Sequence, residues 1–161
     1  MFGFFTPHAH TKKHARIGLA AVMMLTLMSA CQKYSDEDYE GHWQLTEIAL
    51  ADGTDAHNVK ADGIYWRMQL NVLQIISTGI PIETNPGEVI AKFNVSDGVL
   101  HLYEIYHSER EADILITEAD DALTLKPYGI TAPTEDYHID HLSSSSLVLT
   151  SATRRLSFRK F

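Results

Sequence analysis

The sequence predicts an all-β protein, an antiparallel up-and-down meander of about eight to ten short strands that closes into a barrel. Three observations predict it. Ile64, Trp66, Met68, Leu70, Val72 and Ile76 recur at alternate positions between Ile64 and Ile76, with only Gln74 breaking the series; this is the period of a half-buried strand. Asp97-Gly98 separates two further strand-like runs, and Asp-Gly supplies the positive φ of a tight hairpin. Beyond residue 30, almost no stretch repeats apolar residues with the 3.6-residue period of a helix. A two-sheet sandwich accommodates the same strands and is the alternative architecture.

The first thirty residues stand apart. Lys12, Lys13, His14 and Arg16 precede the apolar run from Ile17 to Met28, and Ser29-Ala30 lead into Cys31. Basic, apolar and small-residue segments in that order describe a secretory signal peptide. The run falls short of the roughly 20 apolar residues a transmembrane helix needs. A buried core helix would rarely follow a basic cluster and end in Ser-Ala-Cys. Cys31 is the only cysteine, so no intramolecular disulfide forms and packing alone must hold the fold.

Removing residues 1–30, which carry three Lys/Arg and no acid, takes the net charge from −8 to −11. Such an acidic body excludes nucleic acid, whose binding needs a basic footprint. It also opposes adsorption to anionic lipid through the domain's own surface. Gln32-Lys-Tyr-Ser-Asp-Glu-Asp-Tyr-Glu40 is polar, acidic and poor in branched apolar residues, and reads as a flexible spacer. Stretched at ~3.3 Å per residue, it spans about 30 Å. The chain therefore divides into a leader (1–30), a cysteine with an acidic tether (31–40) and one domain (41–161).

Within that domain, Gly41 to Ile48 reads as the first strand and Ala51 to Asn58 as a loop. Ile64 to Ile76 comes next. Its other face is polar at Tyr65, Arg67, Gln69 and Asn71 and turns apolar at Leu73 and Ile75, which implies a bend or a second strand buried on both sides. Ile80 to Gly87 is a loop. Val89–Val95 and Val99–Tyr106 form the Asp-Gly hairpin. After a charged turn at 108–111, Asp113–Thr117 and Ala122–Lys126 read as a short strand pair, with a crossing loop from Pro127 to Pro133. Tyr137–Leu142, Leu147–Ser151 and Arg155–Phe161 complete the strands.

Two family resemblances add to this reading. Leu27-Met28-Ser29-Ala30-Cys31 resembles the lipobox of bacterial lipoproteins, with Met28 where that motif usually has Leu. The resemblance implies that Cys31 is acylated through its sulfur, becomes the new N-terminus and anchors the chain in a membrane. Gln32, by analogy with sorting in enteric bacteria, implies the outer membrane of a Gram-negative cell. Ser35-Asp36-Glu37-Asp38 looks like the acidic surface-export signal of lipoproteins in some Gram-negative phyla; a merely charged linker is the alternative. Gly41-His42-Trp43 resembles the Gly-x-Trp motif of lipocalins and their calycin relatives, whose Trp closes the barrel bottom under an Arg from the last strands. That resemblance implies Trp43 with Arg154 or Arg155 as the closing pair, joined by a cation–π contact. The layout and the final Phe158-Arg-Lys-Phe161 also resemble small lipocalin-like lipoproteins of unknown ligand.

The residues that could carry chemistry are few. His138 and Asp140 share a strand face as a metal pair would, but Tyr137 and Ile139 claim the inward side, so a solvated face is the expectation. His101, Tyr103, Ile105 and His107 fall on one face by alternation, fitting either a pocket edge or an outer wall. Gly-x-Ser-x-Gly, phosphate-binding glycine loops and zinc cysteine pairs are missing. Acid pairs such as Glu109/Glu111 and Asp120/Asp121 fall in turns, where nothing raises a carboxyl pKa. The expectation is a non-enzyme without metal or cofactor.

The first functional reading is a membrane-tethered barrel holding a small, largely apolar ligand inside. Its candidate lining is Trp66, Met68, Leu70, Val72, Phe93 and Tyr103, which in a small barrel equally well fill the core. The second is a filled barrel that meets a protein or glycan partner through loops 51–63 and 78–88. Interior volume separates the two.

Overall fold

Alternation decides most of the architecture, and three bulges decide the rest. The computed structural model describes residues 36–161. Cys31, the leader and the tether up to Ser35 lie outside the described residues. A single helical turn, α1 (Asp36–Tyr39), precedes the strands. These are β1 (Gly41–Leu50), β2 (His57–Asn58), β3 (Ile64–Gln69), β4 (Val72–Ser77), β5 (Val89–Ser96), β6 (Val99–His107), β7 (Ile114–Leu115), β8 (Glu135–Leu142), β9 (Ser146–Thr150) and β10 (Arg154–Lys160). They pair antiparallel in the order β10-β9-β8-β6-β5-β4-β3-β1, with β2 and β7 as short side pieces.

β10 pairs back onto β1 from Trp43↔Lys160 to Leu50↔Arg154. Eight strands thus close on themselves and leave no free edge, so the two-sheet sandwich is ruled out. The side chains enclosed include Trp43, Leu45, Trp66, Leu73, Ile75, Phe93, Leu100, Tyr137, Leu149 and Leu156, all essentially without solvent contact.

The run from Ile64 to Ile76 is two strands. A two-residue loop, Leu70-Asn71, joins β3 to β4, and Leu70 has φ +56°. The reversal swaps the phase, so Ile64, Trp66 and Met68 point inward on β3 while Leu73 and Ile75 do so on β4. This accounts for the face that turned apolar late. A bulge in β6, where Lys92 faces Tyr103 and Ile90 faces Tyr106, inserts Glu104 at φ +47°. It turns Ile105 inward, against strict alternation, while Tyr103 before it stays outside. Lys92 Nζ meets Glu104 Oε2 at 2.6 Å across the bulge.

Residues 119–128, expected in part as a strand, are helical instead: α2 (Ala119–Ala122) leads into a 3₁₀ segment (Leu123–Tyr128). Ala122, Leu125 and Tyr128 recur at threes, the 3₁₀ period, and all are buried. Their alternation partner Leu123 is 40% exposed, so the period-2 reading of this stretch fails. The segment covers the end of the barrel from which the long loops 51–63, 78–88 and 108–134 emerge.

The opposite end is sealed by a residue read as tether. α1 turns Tyr39 under the barrel, where its ring packs edge-on against Phe93 at 5.7 Å. The Tyr39 carbonyl accepts the indole N–H of Trp43 at 2.7 Å. The folded body therefore begins before Gly41. The cation over Trp43 is Lys160, with Nζ 4.7 Å from the ring centre and donating to the Glu40 carbonyl at 2.7 Å. Arg154 and Arg155 stand at the far end of the β1–β10 ladder, opposite Leu50 and Ala49, and cannot reach it. Gly41 belongs to the same device: its φ is +125°, and a Cβ there would lie 2.8 Å from Lys160 Cε.

These contacts set expectations for urea unfolding. A chain starting at Gly41 is less stable than one starting at Asp36 by about 2–4 kcal/mol, from one buried aromatic ring and one buried acceptor. Lys160→Ala costs about 1–2 kcal/mol. Arg154→Ala costs less than about 1 kcal/mol, as exposed charges do. Equal losses at Lys160 and Arg154 would contradict the assignment.

Candidate functional site

The barrel interior is occupied by the protein itself. Trp66 packs edge-on against Tyr137 at 6.0 Å and Phe158 at 5.2 Å. Phe93 and Met68 join the same core, so three of the six expected lining residues fill space rather than bound a cavity. Trp66 Nε1 is buried with no hydrogen-bond partner among the described residues, the one polar loose end in that core.

The other three lie outside. Leu70 is 76% exposed and Val72 is 43% exposed, because the Leu70-Asn71 loop reverses the phase between β3 and β4. Tyr103 is outside because it alternates with the buried Leu100 and Leu102; the β6 bulge comes after it and turns only Ile105 inward. Leu70 and Val72 nevertheless meet Met68 again at a site that alternation could not reveal: an open hollow of about 900 Å³ on the outer wall. It runs over the start of β1 and the β3–β4–β5 wall, and Ile90 continues its apolar side.

Polar groups cross this hollow at its middle. Arg67 Nη1 donates to Gln74 Oε1 at 3.3 Å, and Gln74 in turn donates to Glu88. Arg67 Nε is enclosed and has no partner among the described residues. His42 stands beside Arg67 in register. Glu40 holds the rim: its Oε1 accepts the Leu70 N–H at 2.6 Å. Leu70 is thus an exposed bulky residue held in the left-handed region, a conformation costing about 1–2 kcal/mol. Strain of this kind tends to persist at functional positions.

A second polar cluster lies on the β5–β6–β8 wall. His101 Nδ1 meets Asp136 Oδ1 at 2.8 Å, and His101 Nε2 lies 3.2 Å from Ser96 Oγ. The order of groups is that of a nucleophile, base and orienting acid. The Asp136 side chain is 69% exposed, however, and water screens the interaction that would drive proton transfer. His138 and Asp140 point to solvent as expected; Asp140 Oδ2 accepts from Thr150 Oγ1 at 2.7 Å and faces Arg155 at 3.7 Å. No group of three or more metal-ligating side chains converges among the described residues.

A family model described as a lipocalin-like domain matches residues 25–161. Two solved structures share the fold. A lipocalin-like protein from Bacteroides uniformis is 21% identical, with a TM-score of 0.56, covering 77% of this chain and 99% of its own. An uncharacterized protein from Bacteroides eggerthii is 17% identical, with a TM-score of 0.55, covering 77% of this chain and 100% of its own. No curated protein matches the chain.

The helical cover over the loop end is fastened by its tyrosine. Tyr128 OH shares its one proton between Asn85 Oδ1 at 2.8 Å and the Gly87 carbonyl at 2.7 Å. Tyr137 OH donates to the Gly129 carbonyl at 3.0 Å. Burial pushes the Tyr128 phenol up to about 12. Burial first, then the Glu135 carboxylate, holds Tyr137 well above its ordinary value. An unfolded chain releases these protons near pH 10 while the folded one keeps them. Stability from these two groups is therefore complete below pH 10 and falls as pH rises through about 12. Urea midpoints at pH 9 and pH 11.5 should show that fall, and Tyr128→Phe should lessen it, leaving the part due to Tyr137, while lowering stability at pH 7 by about 1–2 kcal/mol.

Proposed function

From the premise that this chain belongs to the lipocalin-like domain family, we propose that it is a lipid-anchored, non-enzymatic binding module. It takes its small, largely apolar ligand on the outer hollow at Leu70, Val72 and Ile90. One observation carries this reading: about 900 Å³ of partly apolar space lies open on the wall, whereas the filled interior counts against the enclosed pocket expected from the sequence. That volume lies within the roughly 300–1,000 Å³ typical of ligand sites.

Anchorage rests on the sequence. The basic segment, apolar run and Ser29-Ala30-Cys31 support acylation of Cys31 and attachment at the outer membrane, with the acidic residues after it supporting surface display. Among the described residues no helix is long and apolar enough to cross a membrane. More than one acyl chain at Cys31 supplies a stable hold where one alone is marginal. A second reading, contact with a protein or glycan partner at the loop end, is favoured by exposed Ile82 and Ile114 in those loops.

Two experiments test this. Cys31→Ser should move the protein from the membrane to the soluble fraction; retention would sink the anchor. Neutral Nile red should bind residues 32–161, and Val72→Asp should weaken it at least about tenfold, as losing apolar contact worth 1.5–3 kcal/mol requires. Leu70→Asn should weaken it similarly while leaving the fold as stable or up to about 1 kcal/mol more so, because Asn tolerates the left-handed region. Binding insensitive to both substitutions would place the site elsewhere.

A further inference from the structure

We infer that the ligand of the outer hollow is an amphipathic anion: a carboxylate or phosphate head seated at Arg67, with an alkyl chain lying along Leu70, Val72 and Ile90. This rests on the hollow being the binding site, and adds the chemical class.

Charge carries it. A guanidinium has five N–H donors arranged as a planar fork that fits carboxylate and phosphate oxygens. Gln74 occupies one of those donors, and no carboxylate pairs with Arg67 among the described residues. The other side chains of the hollow with full or switchable charge are Glu40 and His42. The Glu40 carboxylate accepts the Leu70 N–H and keeps its charge at the rim, where it forms no ion pair with Arg67 among the described residues. The neighbouring Lys160 is turned to the Glu40 carbonyl and the Trp43 ring. Among the described residues Arg67 thus makes no ion pair; it stands between His42 and Gln74 in register, in the same hollow as Leu70, Val72 and Ile90, on a chain of net charge −8.

Elsewhere the chain repels anions. The loops 51–63, 78–88 and 108–134, at the other end of the barrel, hold eleven acids against three bases. The turns 70–71, 97–98 and 143–145 at the end bearing the hollow hold one acid, although the acidic residues 36–40 lead into that end. An anion therefore meets least opposition from the turns around Arg67, whereas a cationic amphiphile would be drawn to the loops. A purely apolar ligand would leave the guanidinium covered and unpaired, which is costly.

The test displaces Nile red from residues 32–161, which carry the eight strands of the closed barrel, using four probes of one chain length: dodecanoate, dodecyl phosphate, dodecanol and dodecyltrimethylammonium. At least one anion should bind about tenfold or more tightly than dodecanol, a ratio matching a charge-assisted hydrogen bond of 1.5–3 kcal/mol. The better anion identifies the head as carboxylate or phosphate. Arg67→Met should erase the advantage, with dodecanol binding as tightly as before or more so once the covered guanidinium is gone, and Arg67→Lys should keep part of it. Anions no better than dodecanol would overturn the anion, and an advantage that survives Arg67→Met would overturn its seat at Arg67; either leaves the hollow standing. Failure of all four probes, together with Nile red binding that ignores Val72→Asp, would overturn the hollow itself.

Discussion

Pairing of β1 with β10 is the constraint on which the molecule depends. A sheet of eight strands closed this way leaves an interior about wide enough for side chains. Trp43, Trp66, Phe93, Tyr128 and Tyr137 take that space, and the two ends are shut by Tyr39 below and the 119–130 segment above. The open space of the molecule therefore lies on the outer wall rather than inside. The same closure fixes the register that puts Lys160 over Trp43 and sets Gly41 where only a residue without Cβ avoids the lysine stem.

The outer hollow arises from how β3 and β4 are joined. A loop of only two residues leaves Leu70 in a conformation disfavoured for a branched side chain and aims it at solvent. The backbone is held there by Glu40, which comes from the segment ahead of β1. The site is thus assembled from two distant parts of the chain. Its apolar groups are those that the folding core would otherwise have absorbed.

The all-β class, the meander and the Asp97-Gly98 hairpin were legible in the sequence, because alternation and turn chemistry are local. The inward set on β8 was legible for the same reason: Tyr137 and Ile139 point in, His138 and Asp140 out. Phase was not legible. One loop at Leu70-Asn71 and one inserted residue at Glu104 each invert the faces of the residues beyond them, and neither carries a glycine to announce it. Lys160 was missed as the cation over Trp43 because only the register of β1 on β10 distinguishes it from Arg154 and Arg155. Tyr39 was missed because four acids surround it and hide one buried ring in a segment that reads as solvated.

The β1–β10 ladder has a temporal side. Trp43 and its strand lie more than a hundred positions ahead of their partners Arg154–Lys160. During synthesis, at ~5–20 residues per second, the early strands wait seconds for those partners. Contacts so far apart in sequence form late and slow the final step. Until then the wall stays an open curl, its two raw edges offered to any neighbouring chain. Chaperoning of this protein should accordingly matter most in that interval, before the last strand arrives.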